Sequence, residues 1–176
     1  DMQDCSGGWP QWHLIGVVRL YLKNGWFMMI AHPPCTYFSR AGIQFLHTQP
    51  GRKQLLLEAF EFVKLLWAAP IPKIAIENPV GWLCTNWKRP TQKIHPWYFG
   101  DGEMKETCLW LKNLPRLNGL ESIAENPSIH HPKPMSSRMG SDGKMKNKYF
   151  VSRCTTAKQR AKTFPGIATA MANQWG

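Results

Sequence analysis

Two kinds of apolar run alternate along the chain. Between Gly51 and Ala68, the residues Leu55, Leu56, Ala59, Phe60, Val63, Leu66 and Trp67 recur three and four apart, while Arg52, Lys53, Glu58, Glu61 and Lys64 take the other positions. That spacing predicts an amphipathic helix with one face on a core. Three other runs lack this period: "WFMMIA" (26–31), "PKIAIENP" (72–79) and "TCLWL" (107–111) are short and almost continuously apolar. Runs of this kind read as strands buried on both faces. A further strand is expected from Leu14 to Leu20, and "GIATAMANQW" near the C-terminus reads as a short helix. Gly7, Gly8 and Pro10 mark the opening as loop, and residues 113–148, rich in Pro, Ser, Gly, Asn and Lys, are expected to be irregular. Buried strands alternating with a helix predict an α/β fold with a mostly parallel sheet. In such sheets ligands bind outside the carboxyl ends of the strands. Two of the three strands end there in polar or reactive residues, one in "HPPC" and the other in "ENP".

A chain of 176 residues is expected to form one domain, 1–176, with a core large enough to need no disulfides. The five cysteines (Cys5, Cys35, Cys84, Cys108, Cys154) are odd in number and contain no C-x-x-C pair. That count argues against a disulfide framework or a zinc ribbon and favours a reducing cytoplasm. His130 and His131 have no acid or cysteine at ligand spacing, so no metal is expected. No apolar run is long enough for a membrane span, and no basic-then-apolar leader opens the chain, so a soluble protein is expected. Charge changes the picture. The net charge is +11, and from Pro127 onward nine Lys or Arg face a single acid, Asp142. A polyanion such as DNA is the natural partner of that segment, with a solvated basic surface as the plain alternative.

"PPCTYFSRAG" and "IENPVGW" together resemble the DNA cytosine-C5 methyltransferases, in which a strand leads into Pro-Cys, followed by Phe-Ser and Ala-Gly, and a later strand ends in Glu-Asn. Pro33, Pro34, Cys35, Phe38, Ser39, Ala41 and Gly42 stand in that order here, and Glu77-Asn78 match the second element. The family's next motif, a Gly-containing turn with Gln-x-Arg-x-Arg and a strand, falls on "YFGDGEMKETCLWL", where Glu103, Lys105 and Thr107 replace its polar positions. Its closing Gly-led helix is similar to "TFPGIATAMA". "PPC" alone is a weak signal, and the ordered set is a strong one.

The resemblance implies a Rossmann-like methyltransferase fold and a specific chemistry. Carbon 5 of cytosine is a poor nucleophile until a thiolate adds to carbon 6. Cys35 would supply the thiolate, Glu77 would hold or protonate the ring nitrogen, Asn78 would orient the base or the loop, and Lys105 would contact the ring carbonyl or a phosphate. Pro34, Ser39, Glu103 and Thr107 would line the base site, and Lys144, Lys146 and Lys148 would meet the DNA backbone. The target base must leave the stack to reach such a site. Residues 113–148 would be a reduced target-recognition region. His32 is read as a packing residue or backbone partner rather than as a general base.

The methyl donor implied is S-adenosylmethionine, with Asp1, Pro33, Gly166, Ile167 and Ala168 as its candidate contacts. The family's Phe-x-Gly-x-Gly loop has no counterpart here, Phe27 stands where the family tends to carry an Asp, and Ile167 replaces its usual Asn. The chain therefore reads as beginning after the first β-α-β unit, with a second chain or an N-terminal segment completing the donor site. A non-catalytic DNA-binding remnant of the same fold is the alternative expectation.

Overall fold

A computed structural model of the chain describes residues 16–121, 136–148 and 164–176. Four strands form one open sheet: β1 (Met28–Ala31), β2 (Lys73–Pro79), β3 (Gln92–Ile94) and β4 (Thr107–Lys112), in the order β1-β2-β4-β3. The helices are α1 (Arg40–Ile43), α2 (Arg52–Ala68), α3 (Trp82–Asn86) and α4 (Pro165–Trp175). A separate two-stranded hairpin pairs β5 (Ser136–Met139) with β6 (Met145–Lys148).

At β2 and β4 both faces of the sheet are covered, and strand periodicity explains how. The edge strand β1, expected to be buried on both faces, has no buried residue and leaves Ile30 exposed, because it has a neighbour on one side alone. Along β2, Ile74 and Ile76 enter a core built with Leu56, Val63 and Leu66 of α2, while Ala75 between them enters a second core with Ile167, Met171 and Trp175 of α4. Along β4, Cys108 and Trp110 face the α2 side and Leu109 faces the α4 side. Strands buried on both faces need continuous apolar runs, as "KIAI" and "TCLWL" supply. The protein is thus α/β with helices on both sides of a mixed sheet. The α2 face is narrower than the spacing predicted, for Leu55 is exposed while Leu56, Val63 and Leu66 are buried.

Three expectations are corrected. The sheet is not mostly parallel: β1 and β2 pair in parallel, but β2 with β4 and β3 with β4 are antiparallel. The connection decides this. Residues 32–72 include α2 and make the crossover that parallel pairing needs, whereas the link from His95 to Glu106 holds only a 3₁₀ turn (Pro96–Phe99) and returns the chain alongside itself. The segment leading to Leu20 is no strand in its described part, Gly16–Leu20. Leu20 N donates to Val17 O and Tyr21 N to Val18 O, which closes a 3₁₀ turn at Val18–Leu20. The stretch 113–148 is not irregular throughout, because it carries the β5–β6 hairpin.

Candidate base-binding site at the sheet end

Parallel pairing of β1 with β2 puts their carboxyl ends side by side. The register sets Ala31 opposite Ile76, so His32 and Pro33 continue beside Glu77 and Asn78. Two contacts join the strand ends. Asn78 Nδ2 donates to Pro33 O at 2.8 Å, and His32 Nδ1 lies 3.1 Å from Glu77 Oε2. Asn78 is 1% exposed, and its Oδ1 is buried without a hydrogen-bond partner in the structure. A buried amide oxygen in that state is an acceptor that a bound N–H group would satisfy.

Pro33 is buried, but Pro34 and Cys35 are exposed. The turn that follows is tightly bonded. Cys35 O accepts from Phe38 N at 3.0 Å and from Ser39 N at 2.9 Å, and Ser39 Oγ caps α1 by accepting from Gly42 N at 3.1 Å. Phe38 O accepts from Trp82 N, and Ser39 bridges to Gly81 just after β2, which ties the turn to the neighbouring strand end. Glycine is required at Gly42 and Gly81, since a Cβ at either position would overlap the carbonyl of Thr36 or of Phe38. The thiol is therefore carried on a fixed backbone with its side chain open to solvent.

The start of β4 arrives at the same end, with Thr107 opposite both Pro79 and Ile94. Thr107 is buried, and Glu103 in the preceding loop has its Oε2 buried without a hydrogen-bond partner. Lys105 Nζ lies 5.4 Å from the centroid of the Phe164 ring. Across from this loop, Gly166 N donates to Asp101 Oδ2 at 3.0 Å. Burial raises the Asp101 carboxyl above its ordinary range, and the Gly166 hydrogen bond pulls it back. On β4, burial and the nearby Cys84 thiol push the Cys108 thiol up to about 12, so it is held protonated. Their sulfurs are 3.4 Å apart.

The sequence-predicted residues divide clearly. Cys35, Pro34, Ser39, Glu77 and Asn78 gather at the ends of β1 and β2, and Glu103, Lys105 and Thr107 enter at the same end of the sheet. Lys144, Lys146 and Lys148 lie at the turn and second strand of the hairpin, where Lys144 N donates to Asp142 Oδ1. Asp1, His130 and His131 lie outside the described residues. His32 is more than a packing residue, since it touches the carboxylate the resemblance makes catalytic. A one-residue shift in strand register would have separated the pair, so the sequence held no signal for it.

The described donor candidates are mostly engaged within the fold. The Pro33 carbonyl is engaged by Asn78, the Gly166 amide is engaged by Asp101, and Ile167 is 5% exposed within the core. Only Ala168 of the described four is exposed. A Cβ on Gly166 would overlap Phe99 O, which gives that glycine a packing role. Among the described candidates, only Ala168 thus offers S-adenosylmethionine an exposed group. No group of metal-ligating side chains occurs among the described residues, and no helix there is long and apolar enough to cross a membrane. Comparison with known proteins finds no matching family model, no matching characterised protein and no matching solved structure.

Proposed function

We propose that this chain handles the base in a DNA cytosine-C5 methyltransferase, within a Rossmann-like frame, and that Cys35 adds to carbon 6 of a flipped cytosine. The observation that carries the reading is the junction of the two strand ends. An exposed thiol on a fixed turn follows two residues after Pro33, whose carbonyl Asn78 holds, and His32 on the same strand end touches Glu77. In the reaction, Cys35 gives its proton to solvent and its sulfur bonds to carbon 6. The electron pair of the 5,6 double bond shifts toward carbon 5, and Glu77 stabilises the ring by a hydrogen bond or proton at nitrogen 3. Carbon 5 then takes an electrophile, its original hydrogen leaves to a base, and the S–C6 bond breaks to restore the ring. S-adenosylmethionine, when bound, would supply a methyl group as that electrophile. DNA is the partner this chemistry implies, and the charge of +11 supports it.

The test needs no donor. Without an electrophilic carbon, a solvent proton can add at carbon 5, so addition and reversal exchange the cytosine H5 with water. Duplex DNA labelled with tritium at carbon 5 should release tritium with the wild-type chain. Release should fall to background with Cys35→Ala and persist with Cys108→Ala. Release that survives in Cys35→Ala would remove Cys35 from the chemistry. Binding of DNA without any release would favour a non-catalytic DNA-binding domain, the reading to which the engaged donor candidates point.

A further inference from the structure

Cys35 lies between two backbone carbonyls that are each held from outside the turn. Upstream, Pro33 O accepts from Asn78. Downstream, Thr36 O accepts from Arg52 Nη2 at 3.1 Å. Arg52 is the first residue of α2, and the reach of its side chain back over the turn uses the whole guanidinium. Nε donates to Gly42 O at 3.3 Å and Nη1 to Gln49 Oε1 at 3.0 Å. The rings of Tyr37 and Phe45 pack on it, with centroids 5.1 and 5.5 Å from Cζ. All three acceptors are neutral oxygens, and two of them are backbone carbonyls, one in the turn and one in α1. A solvated surface arginine does not make this set of contacts, whereas the planar fork of a guanidinium suits the joining of two carbonyls.

We propose that Arg52 is a positioning residue for Cys35. Its guanidinium bridges Thr36 and Gly42, whose close approach is possible only because position 42 lacks a Cβ. With Asn78 it fixes the backbone on both sides of the thiol and so sets the direction from which the sulfur attacks. The identity of the attacked atom rests on the cytosine reading above, but the clamp itself does not. Orientation matters at this scale, because misplacing a nucleophile by about 1 Å costs on the order of 10²-fold in rate.

The test has two arms. In the first, amide hydrogen exchange is followed at Phe38 and Ser39, whose N–H groups bond Cys35 O. Arg52→Ala should speed both by about tenfold, the scale of one lost charge-assisted hydrogen bond, while amides of β2 and β4 keep their protection. Arg52→Lys, which can hold one carbonyl but not both, should fall between, and it serves as the reading if the alanine variant does not fold. In the second arm, tritium release from cytosine should drop about tenfold or more in Arg52→Ala. Alkylation of Cys35 by iodoacetamide, which needs no fixed direction, should change by less than about twofold. Unchanged exchange at Phe38 and Ser39 in both variants overturns the proposal, as does equal loss of tritium release and alkylation. A wild-type chain that releases no tritium overturns the cytosine reading alone, and the first arm then decides the clamp.

Discussion

The Cys35 turn and the amino end of α4 meet the same end of the sheet, and both lie on stretches with a resemblance to one family pattern, yet they are built in opposite ways. At the Cys35 turn, backbone groups are bonded to one another and to Asn78, which leaves Cys35 and Pro34 exposed, Glu77 21% exposed and Asn78 Oδ1 unbonded. At α4, the Gly166 amide is bonded to Asp101, Ile167 lies in the core and the Phe164 ring lies under Lys105. The first arrangement presents side chains, and the second closes a hydrophobic layer. A motif match therefore says which residues are present, while their hydrogen-bond partners say whether they are available to a ligand.

The largest expected effect tests the first half of that contrast. Glu77→Gln should slow tritium release by about 10²–10⁴-fold, the range of a lost acid–base group. Thermal stability should change little, because the ion-pair partner of Glu77 is His32 on a 41% exposed side chain. Gly166→Ala should do the reverse. Overlap of the new Cβ with Phe99 O and crowding against Asp101 should cost about 1–3 kcal/mol in urea unfolding, with tritium release by the folded protein intact. A rate loss in Gly166→Ala as large as that in Glu77→Gln would erase the distinction between the two regions.

DNA binding offers a third arm outside both regions. Joint replacement of Lys144, Lys146 and Lys148 by Ala should lower the slope of log affinity against log salt by up to about 2.7, at roughly 0.9 per phosphate contact. All sequences should weaken alike, since phosphate contacts position rather than specify. A mutant with the wild-type salt slope would make the hairpin a solvated face. The smallest effect concerns Asp101. Burial raises its carboxyl in the folded state, so the stability it contributes is complete at acid pH and is lost as pH rises through the raised value. Asp101→Asn should remove that slope from a pH series of urea melts. A wild-type curve that instead gains stability with pH through this group would show the Gly166 hydrogen bond outweighing burial.

The elements legible in the sequence were those whose burial decides their pattern. Helix α2 and strands β2 and β4 carry apolar residues on the faces the cores require. Strand β3 leaves no pattern in the sequence because Gln92–Ile94 has three residues with only Ile94 buried, and its pairing depends on β4 being present. The β5–β6 hairpin leaves none because its polar sequence carries no alternation of apolar positions. Strand direction is not legible in the apolar runs because it is set by the connection, and the loop 95–106 contains no helix long enough for a crossover. At the candidate site, the gathering of Cys35 with Glu77 and Asn78 was legible because their motifs follow or close the apolar runs of β1 and β2. Contacts of His32 with Glu77 and of Arg52 with Thr36 were not, since they follow from register and from a helix folding back on a loop.

The mixed pairing of the sheet also bears on the order in which the molecule assembles. Strands β3 and β4 pair across a short link, so β4 can nucleate locally, and β2 then joins it over a modest loop. Strand β1 reaches β2 only after the whole connection containing α2 has closed, which carries a larger entropy cost before any pairing rewards it. The Cys35 turn therefore belongs to the late-forming part of the chain. Under mild denaturant it should open while Leu109 and Ile76 keep their protection, so loss of thiol geometry would precede loss of the core.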